Sequence, residues 1–265
     1  MKKYITYIVS LFLLSCSLSQ EESLSKKPQI DTLLIHNLTN EIEKAYHDSS
    51  ISLLDTFLND WHRIKPKEIS ELKSTLEKDI YEIFTQIFRP EQLGLVSNGE
   101  FSDQFYYKPE YYIVQNTIKY HIEEKPNEEY DWDSIPTLWD FRPNVSITKG
   151  KKVLYLTAEY DTVLNRFLDY EDIPLGQNNL MEPSMPIKET ERKFSFLSSR
   201  LKILYGHWGN YWHLETHPEV SLINFTKDRK KAFVGYRIQY TFWCAEYIKD
   251  NGRWTRLKIE STGIE

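Results

Sequence analysis

The sequence predicts an α+β fold in which N-terminal helices pack against a curved antiparallel sheet. Three observations predict it. Between residues 34 and 87, apolar side chains recur every three or four positions, which is the spacing of one helix face. From about residue 101 the period drops to two, with aromatic and β-branched residues alternating with polar ones, as in half-buried strands. The chain is 40% apolar and 14% aromatic, with nine Gly and eleven Pro in 265 residues. That is enough for a globular core, and too little Gly and Pro for a fibrous or disordered chain.

The first sixteen residues are of another kind. Lys2 and Lys3 precede an apolar run from Ile5 to Leu14. A bilayer span takes about 20 apolar residues, so the run has the form of a signal peptide. It closes with Leu13-Leu14-Ser15-Cys16. This tetrad resembles the lipobox of bacterial lipoproteins. The resemblance implies cleavage before Cys16 and attachment of fatty acyl chains, palmitate among them, to that cysteine. Ser17 follows where an aspartate would imply retention in the inner membrane, so the resemblance implies the outer membrane. The polar SLSQEES stretch that follows is similar to the tethers of surface-exposed lipoproteins. An ordinary secretory signal with an incidental cysteine is the competing reading. The chain thus divides into a signal peptide (1–15), a lipid-anchored tether (16–29), a helical region (30–98) and an α+β curved-sheet domain (99–265).

Charge and cysteine count narrow the partners. The formal charge is −6, and loss of the leader with Lys2 and Lys3 leaves −8. No basic field is available for nucleic acid phosphates, and an acidic body is repelled by an anionic membrane surface. Membrane contact is therefore expected through the lipid alone. The two cysteines are Cys16 and Cys244. With lipid on Cys16 there is no internal disulfide, and Cys244 reads as a small core residue.

In chain order, Leu34, Leu38, Ile42 and Ala45 mark a first helix, and Ile51, Leu54, Phe57, Leu58 and Trp61 a second after Ser49-Ser50. Ile69, Leu72, Leu76, Ile80, Ile83, Phe84 and Ile87 mark one long third helix, stopped by Pro90. Tyr106 to Val114 is β-prone, and Thr117 to Ile122 alternates as a strand. The segment EEKPNEEYDWDS (123–134) carries six carboxylates without EF-hand spacing, and reads as a solvated acidic loop. Lys151 to Thr157 reads as a strand, Glu159 to Asp169 as a helix, and 170–190, with three prolines, as a long loop. Val220 to Phe225 is a strand, and Ala232 to Ala245 alternates as one long strand. Asp250-Asn251-Gly252 is a hairpin turn, after which Trp254 to Ile259 returns.

The C-terminal part, about residues 190–265, resembles the nuclear transport factor 2-like (cystatin-like) superfamily. There helices precede a strongly curved antiparallel sheet, and the last hairpin often carries a tryptophan after an Asn-Gly turn, here Asn251-Gly252-Arg253-Trp254. The resemblance implies a cone-shaped fold with a pocket between sheet and helices, and in some relatives an acidic residue paired with histidine for isomerase or lyase chemistry. The whole chain also looks like uncharacterised envelope lipoproteins carrying a GHWGNYWHLETHPEV-type segment, here Gly206 to Val220.

That segment holds three of the seven histidines. Read as a strand, Tyr211, His213, Glu215 and His217 share one face, and Trp212, Leu214 and Thr216 the other. At ~3.3 Å per residue, His213 and His217 would stand about 13 Å apart, too far for one ion with bonds of ~2 Å. Read as a helix capped by Asn210, the same pair could hold zinc. Leu214, however, occupies the place where the zincin motif needs Glu, and Pro218 stops the helix. The β-like neighbours favour the strand.

Candidate pocket-lining residues are therefore His207, Tyr211, His213, Glu215, His217, Arg237 and Gln239. His213 and Glu215 are the catalytic candidates, because imidazole titrates near neutral pH. No cofactor is expected. Zinc on His207, His213 and His217 is the alternative. The expected function is a non-enzymatic, lipid-anchored binding or interaction module, its small-molecule, glycan or protein partner open. The alternatives are a pocket isomerase, lyase or hydrolase, and glycan or peptidoglycan capture through Trp208, Tyr211, Trp212 and Trp243. The chain has no phosphate loop, nucleophile elbow or nucleotide fingerprint.

Overall fold

The computed structural model describes residues 26–123, 131–169, 187–206 and 211–265. The fold is mixed α+β. The described helices are α1 (Thr32–His47), α2 (Ile51–Trp61), α3 (Thr75–Ile87), α4 (Ala158–Phe167) and α5 (Ile187–Ser198). The strands are β1 (Tyr111–Gln115), β2 (Ile118–Ile122), β3 (Thr137–Leu138), β4 (Lys152–Leu156), β5 (Leu204–Tyr205), β6 (Trp212–His213), β7 (Glu219–Phe225), β8 (Lys231–Ile238), β9 (Thr241–Asp250) and β10 (Arg253–Ile264).

Local chemistry sets the helix starts. The Asp31 side chain accepts from the Leu33 and Leu34 amides, and Ser50 Oγ from Leu53, so both satisfy N-terminal donors that have no partner inside the helix. The long helix expected from Ile69 is shorter than its stripe. Ile69–Glu71 is a 3-10 turn, Leu72 is extended, and Ser74 caps a helix that begins at Thr75. Here a cap outweighs periodicity, although Leu72 still reaches the core. Helix α5 occupies the end of the segment expected to be a loop. Its charge-rich stretch concealed it, and residues 170–186 lie outside the described residues, as do most of the acidic segment and the lipobox.

The main sheet has the order β10-β9-β8-β7-β2-β3. Strands β7 to β10 form an antiparallel meander, β2 is parallel to β7, and β3 antiparallel to β2. The single long strand expected over 232–245 is instead a hairpin. Ile238 pairs with Thr241, and Gln239, at φ 52°, turns the chain. The alternation predicted no break because the turn uses Gln239 and Tyr240 in place of Gly or Asn. The parity of the buried residues does change, from 232, 234, 236 and 238 to 243, 245 and 247.

Two apolar cores meet at a parallel pair of strands, β1 and β4. Tyr112, Val114 and Tyr155 face a core shared by α3 and the meander. Tyr111, Ile113, Leu154 and Leu156 face a core of α1, α2, α4 and Leu197. Burial on both faces is usual for parallel strands. Residues from both sides of position 98 enter each core. Helix α3 is tied to the last hairpin, where Glu82 and Gln86 bond the backbone of Trp254 at 3.0 Å each, and buried Asp79 meets Lys249 at 2.5 Å. Among the described residues no helix is long and apolar enough to cross a membrane.

Candidate functional site

The histidine segment is a strand for only two residues. Trp212–His213 pairs antiparallel with Leu204–Tyr205. Three residues further on, β1 takes hold of the backbone. The Thr216 amide donates to Ile113 O (2.8 Å), and Thr216 Oγ1 accepts from the Ile113 amide (3.0 Å). The chain bends between these two anchors, so the straight-strand separation expected for His213 and His217 does not hold. Their ring centroids lie 5.9 Å apart.

Strand β7 starts two residues later and places Glu219 beside His217. Glu219 is in register with Arg237 of β8, on the sheet face turned away from the α3 core. The Arg237 guanidinium donates to the Glu219 carboxylate. Its other terminal nitrogen lies 3.7 Å from Glu265 Oε2, which is itself 3.7 Å from His213 Nε2. The Glu265 amide donates to Tyr240 O at 2.7 Å, which fixes this residue beside the β8–β9 turn. One ligand-type atom from each of His213, His217 and Glu219 falls within 4.8 Å of the others.

The two imidazoles are sealed, while Glu219 keeps 26% exposure. His213 is 3% exposed and His217 is fully buried. The Gln239 amide donates to His217 Nδ1 (2.7 Å), so the neutral ring carries its proton on Nε2. The His217 amide donates to Tyr106 Oη at 3.0 Å. Tyr211 sets its ring on edge to His213 at 4.9 Å. That ring lies directly over Gly206, where an added Cβ would come within 2.2–2.5 Å of it.

Burial, with the Arg237 charge second, lowers the His213 pKa to about 4 and holds that of His217 well below its ordinary value. Both rings are therefore neutral at neutral pH. Burial, then Glu219 and Asp161, pushes the Glu215 carboxyl up to about 8.

Of the sequence candidates, His213, His217, Tyr211 and Arg237 come together. Gln239 takes part through its backbone amide. Glu215 is half-buried and stands outside the close group, where Glu219 takes the carboxylate position. His207, with Trp208 and Asn210, lies outside the described residues. Sequence reading missed Glu219, Glu265 and Tyr106. Glu219 is the next-to-last residue of the Gly206–Val220 segment and could have been found by its register with Arg237. Glu265 carried no signal, since it depends on where β10 ends. Trp243 is buried in the main core and offers no exposed stacking face, and Cys244 is half-buried on the outer side.

An open cleft of about 830 Å³ lies next to this cluster, between the segment before β1 and the end of α5. Phe105, Lys108, Phe194, Ser198, Ser199 and Lys202 are among its lining residues, and none of the described sequence candidates is. The Lys202 ammonium sits 3.3 Å from the centre of the Phe105 ring and donates to Phe105 O at 2.7 Å. Burial lowers its pKa. Phe194 stacks on Trp212 at 5.0 Å, and Tyr205 meets Trp212 at 4.8 Å. A continuous aromatic layer therefore joins the cleft to β6. Comparison with protein-family models, curated proteins and solved structures returned no match.

Proposed function

We propose that this chain is an outer-membrane lipoprotein, anchored through acylated Cys16, whose folded body is a non-enzymatic binding module. Its ligand enters the Phe105–Lys202–Phe194 cleft. One observation carries the reading: the imidazoles are closed off, while the cleft beside them is open. An acid–base enzyme working through His213 and Glu215 needs both groups at the substrate. Full burial of His217 and 3% exposure of His213 speak against that arrangement. The cleft has the volume of a small-molecule site and combines aromatic faces, two serine hydroxyls and the amines of Lys108 and Lys202.

That chemistry suits an acidic glycan fragment. Sugar faces pack on aromatic rings, and carboxylates meet ammonium groups. We also read the body as a variant of the nuclear transport factor 2-like cone. Support comes from helices preceding the meander and from buried Trp254 after the Asn251-Gly252 turn. Calorimetric titration of the protein with a soluble acidic muropeptide tests the function. Saturable binding, weakened about tenfold or more by Lys108→Glu at unchanged melting temperature, is expected. No heat of binding to the unsubstituted protein refutes the ligand class.

A further inference from the structure

The group around the two buried imidazoles is separate from the cleft lining. We propose that His213, His217 and Glu219, joined by Glu265, form a site for one divalent transition metal ion, with zinc the best match. Two imidazoles with carboxylate oxygen make a borderline donor set that suits zinc.

The spacing supports it. In a tetrahedral zinc site with bonds of ~2.0–2.1 Å, neighbouring donors stand about 3.3 Å apart. Here His213 Nε2 lies 3.7 Å from Glu265 Oε2, and His217 Nε2 lies 4.0 Å from Glu219 Oε2. Both gaps are too long for a hydrogen bond. Both are also shorter than the roughly 4.6 Å that a bridging water with two bonds of ~2.8 Å spans. A contraction of under an ångström brings either pair onto a shared ion.

Two further observations point the same way. Among the described residues, His213 Nε2 and His217 Nε2 are buried with no hydrogen-bond partner, a costly condition that calls for an occupant. Two carboxylates, Glu219 and Glu265, lie near the rings together with the one guanidinium of Arg237, and their anionic oxygens are ligands that a dication takes. Arg237 bridges the two carboxylates and so orients them, as outer partners of metal ligands do. The Gln239 amide on Nδ1 means that the ion takes the place of the Nε2 proton at His217.

The test uses the full chain, purified in detergent, stripped with chelator and loaded with zinc alone. We expect one equivalent retained after dialysis and a raised melting temperature. The combined His213→Ala and Glu219→Gln change should abolish retention. Glu265→Ala, at the end of an edge strand, should fold and weaken binding about tenfold. Loading the unsubstituted protein with ¹¹³Cd and recording its coupling to histidine ¹⁵N reads the site without any substitution. Coupling to the Nε2 atoms of His213 and His217 supports the proposal. Cadmium bound elsewhere, zinc retained by the double variant, or no retention by the unsubstituted protein overturns it. Unchanged affinity in Glu265→Ala removes Glu265 from the ligand set.

Discussion

Glu219 and Arg237 stand opposite one another on β7 and β8, and the guanidinium hydrogen-bonds the carboxylate on the side of the sheet away from the α3 core. This pair organises everything around it. Arg237 also lies 3.7 Å from Glu265, near His213, and its charge, second to burial, lowers the pKa of both imidazoles. Replacing Arg237 with methionine leaves the partly buried Glu219 carboxylate without the guanidinium that donates to it. Chemical denaturation should show a loss on the order of 2–4 kcal/mol, discounted for the partial exposure of Glu219. The double change Arg237→Met with Glu219→Leu should recover part of that loss, because no unpaired carboxylate then remains at β7. An additive double variant would mean that the two residues do not act as a pair.

Gly206 is the contact that seats Tyr211. Its amide donates to Tyr211 O at 2.9 Å, and the tyrosine ring occupies the space a Cβ would need. Gly206→Ala should therefore destabilise by about 1–3 kcal/mol through overpacking. Adding Tyr211→Ala should cancel much of the alanine's effect, because the ring it strikes is gone. Melting curves of the single and double variants decide this.

The imidazoles and Glu215 give opposite pH dependences. An unfolded histidine titrates near ~6.5, while folded His213 titrates at about 4. Between these values the unfolded state binds more protons. His213 thus contributes its stability above pH ~6.5 and loses it as pH falls toward 4, by an amount of order 3 kcal/mol. Glu215 works the other way. Its folded pKa of about 8 lies above its ordinary value, so its contribution is present at low pH and lost as pH rises toward 8. Denaturation of Glu215→Gln and the unsubstituted protein should therefore diverge from pH 5 to pH 8, with the glutamine form the more stable at pH 8. Parallel curves would contradict the assigned environment.

Cys16→Ser should move the protein out of the outer-membrane fraction and remove palmitate labelling, with the folded body's melting temperature unchanged. Retention of membrane association and label in the variant would remove the lipid anchor from the account.

Much of the fold was legible because burial follows the period of the element. Helices α1 and α2, the alternation of β8 and the Asn251-Gly252 turn lie where their residues predict, although in α1 Ile35 is buried in place of Leu34, which is 40% exposed. The failures have physical causes. Ser74 starts α3 late by capping it. Gln239 adopts a left-handed conformation without a glycine to announce it. The histidine segment obeys Thr216, whose bonds to Ile113 come from a strand about a hundred residues earlier. No local pattern contains that contact, so the approach of His213 to His217 was invisible in the sequence, as was the arrival of Glu265.

The most direct test is chemical-shift mapping on the protein with a soluble acidic muropeptide. The account predicts perturbations centred on residues 104–108 and 194–202, with the ring nitrogens of His213 and His217 unmoved. Perturbations centred on those two imidazoles, with residues around Lys202 silent, would contradict it.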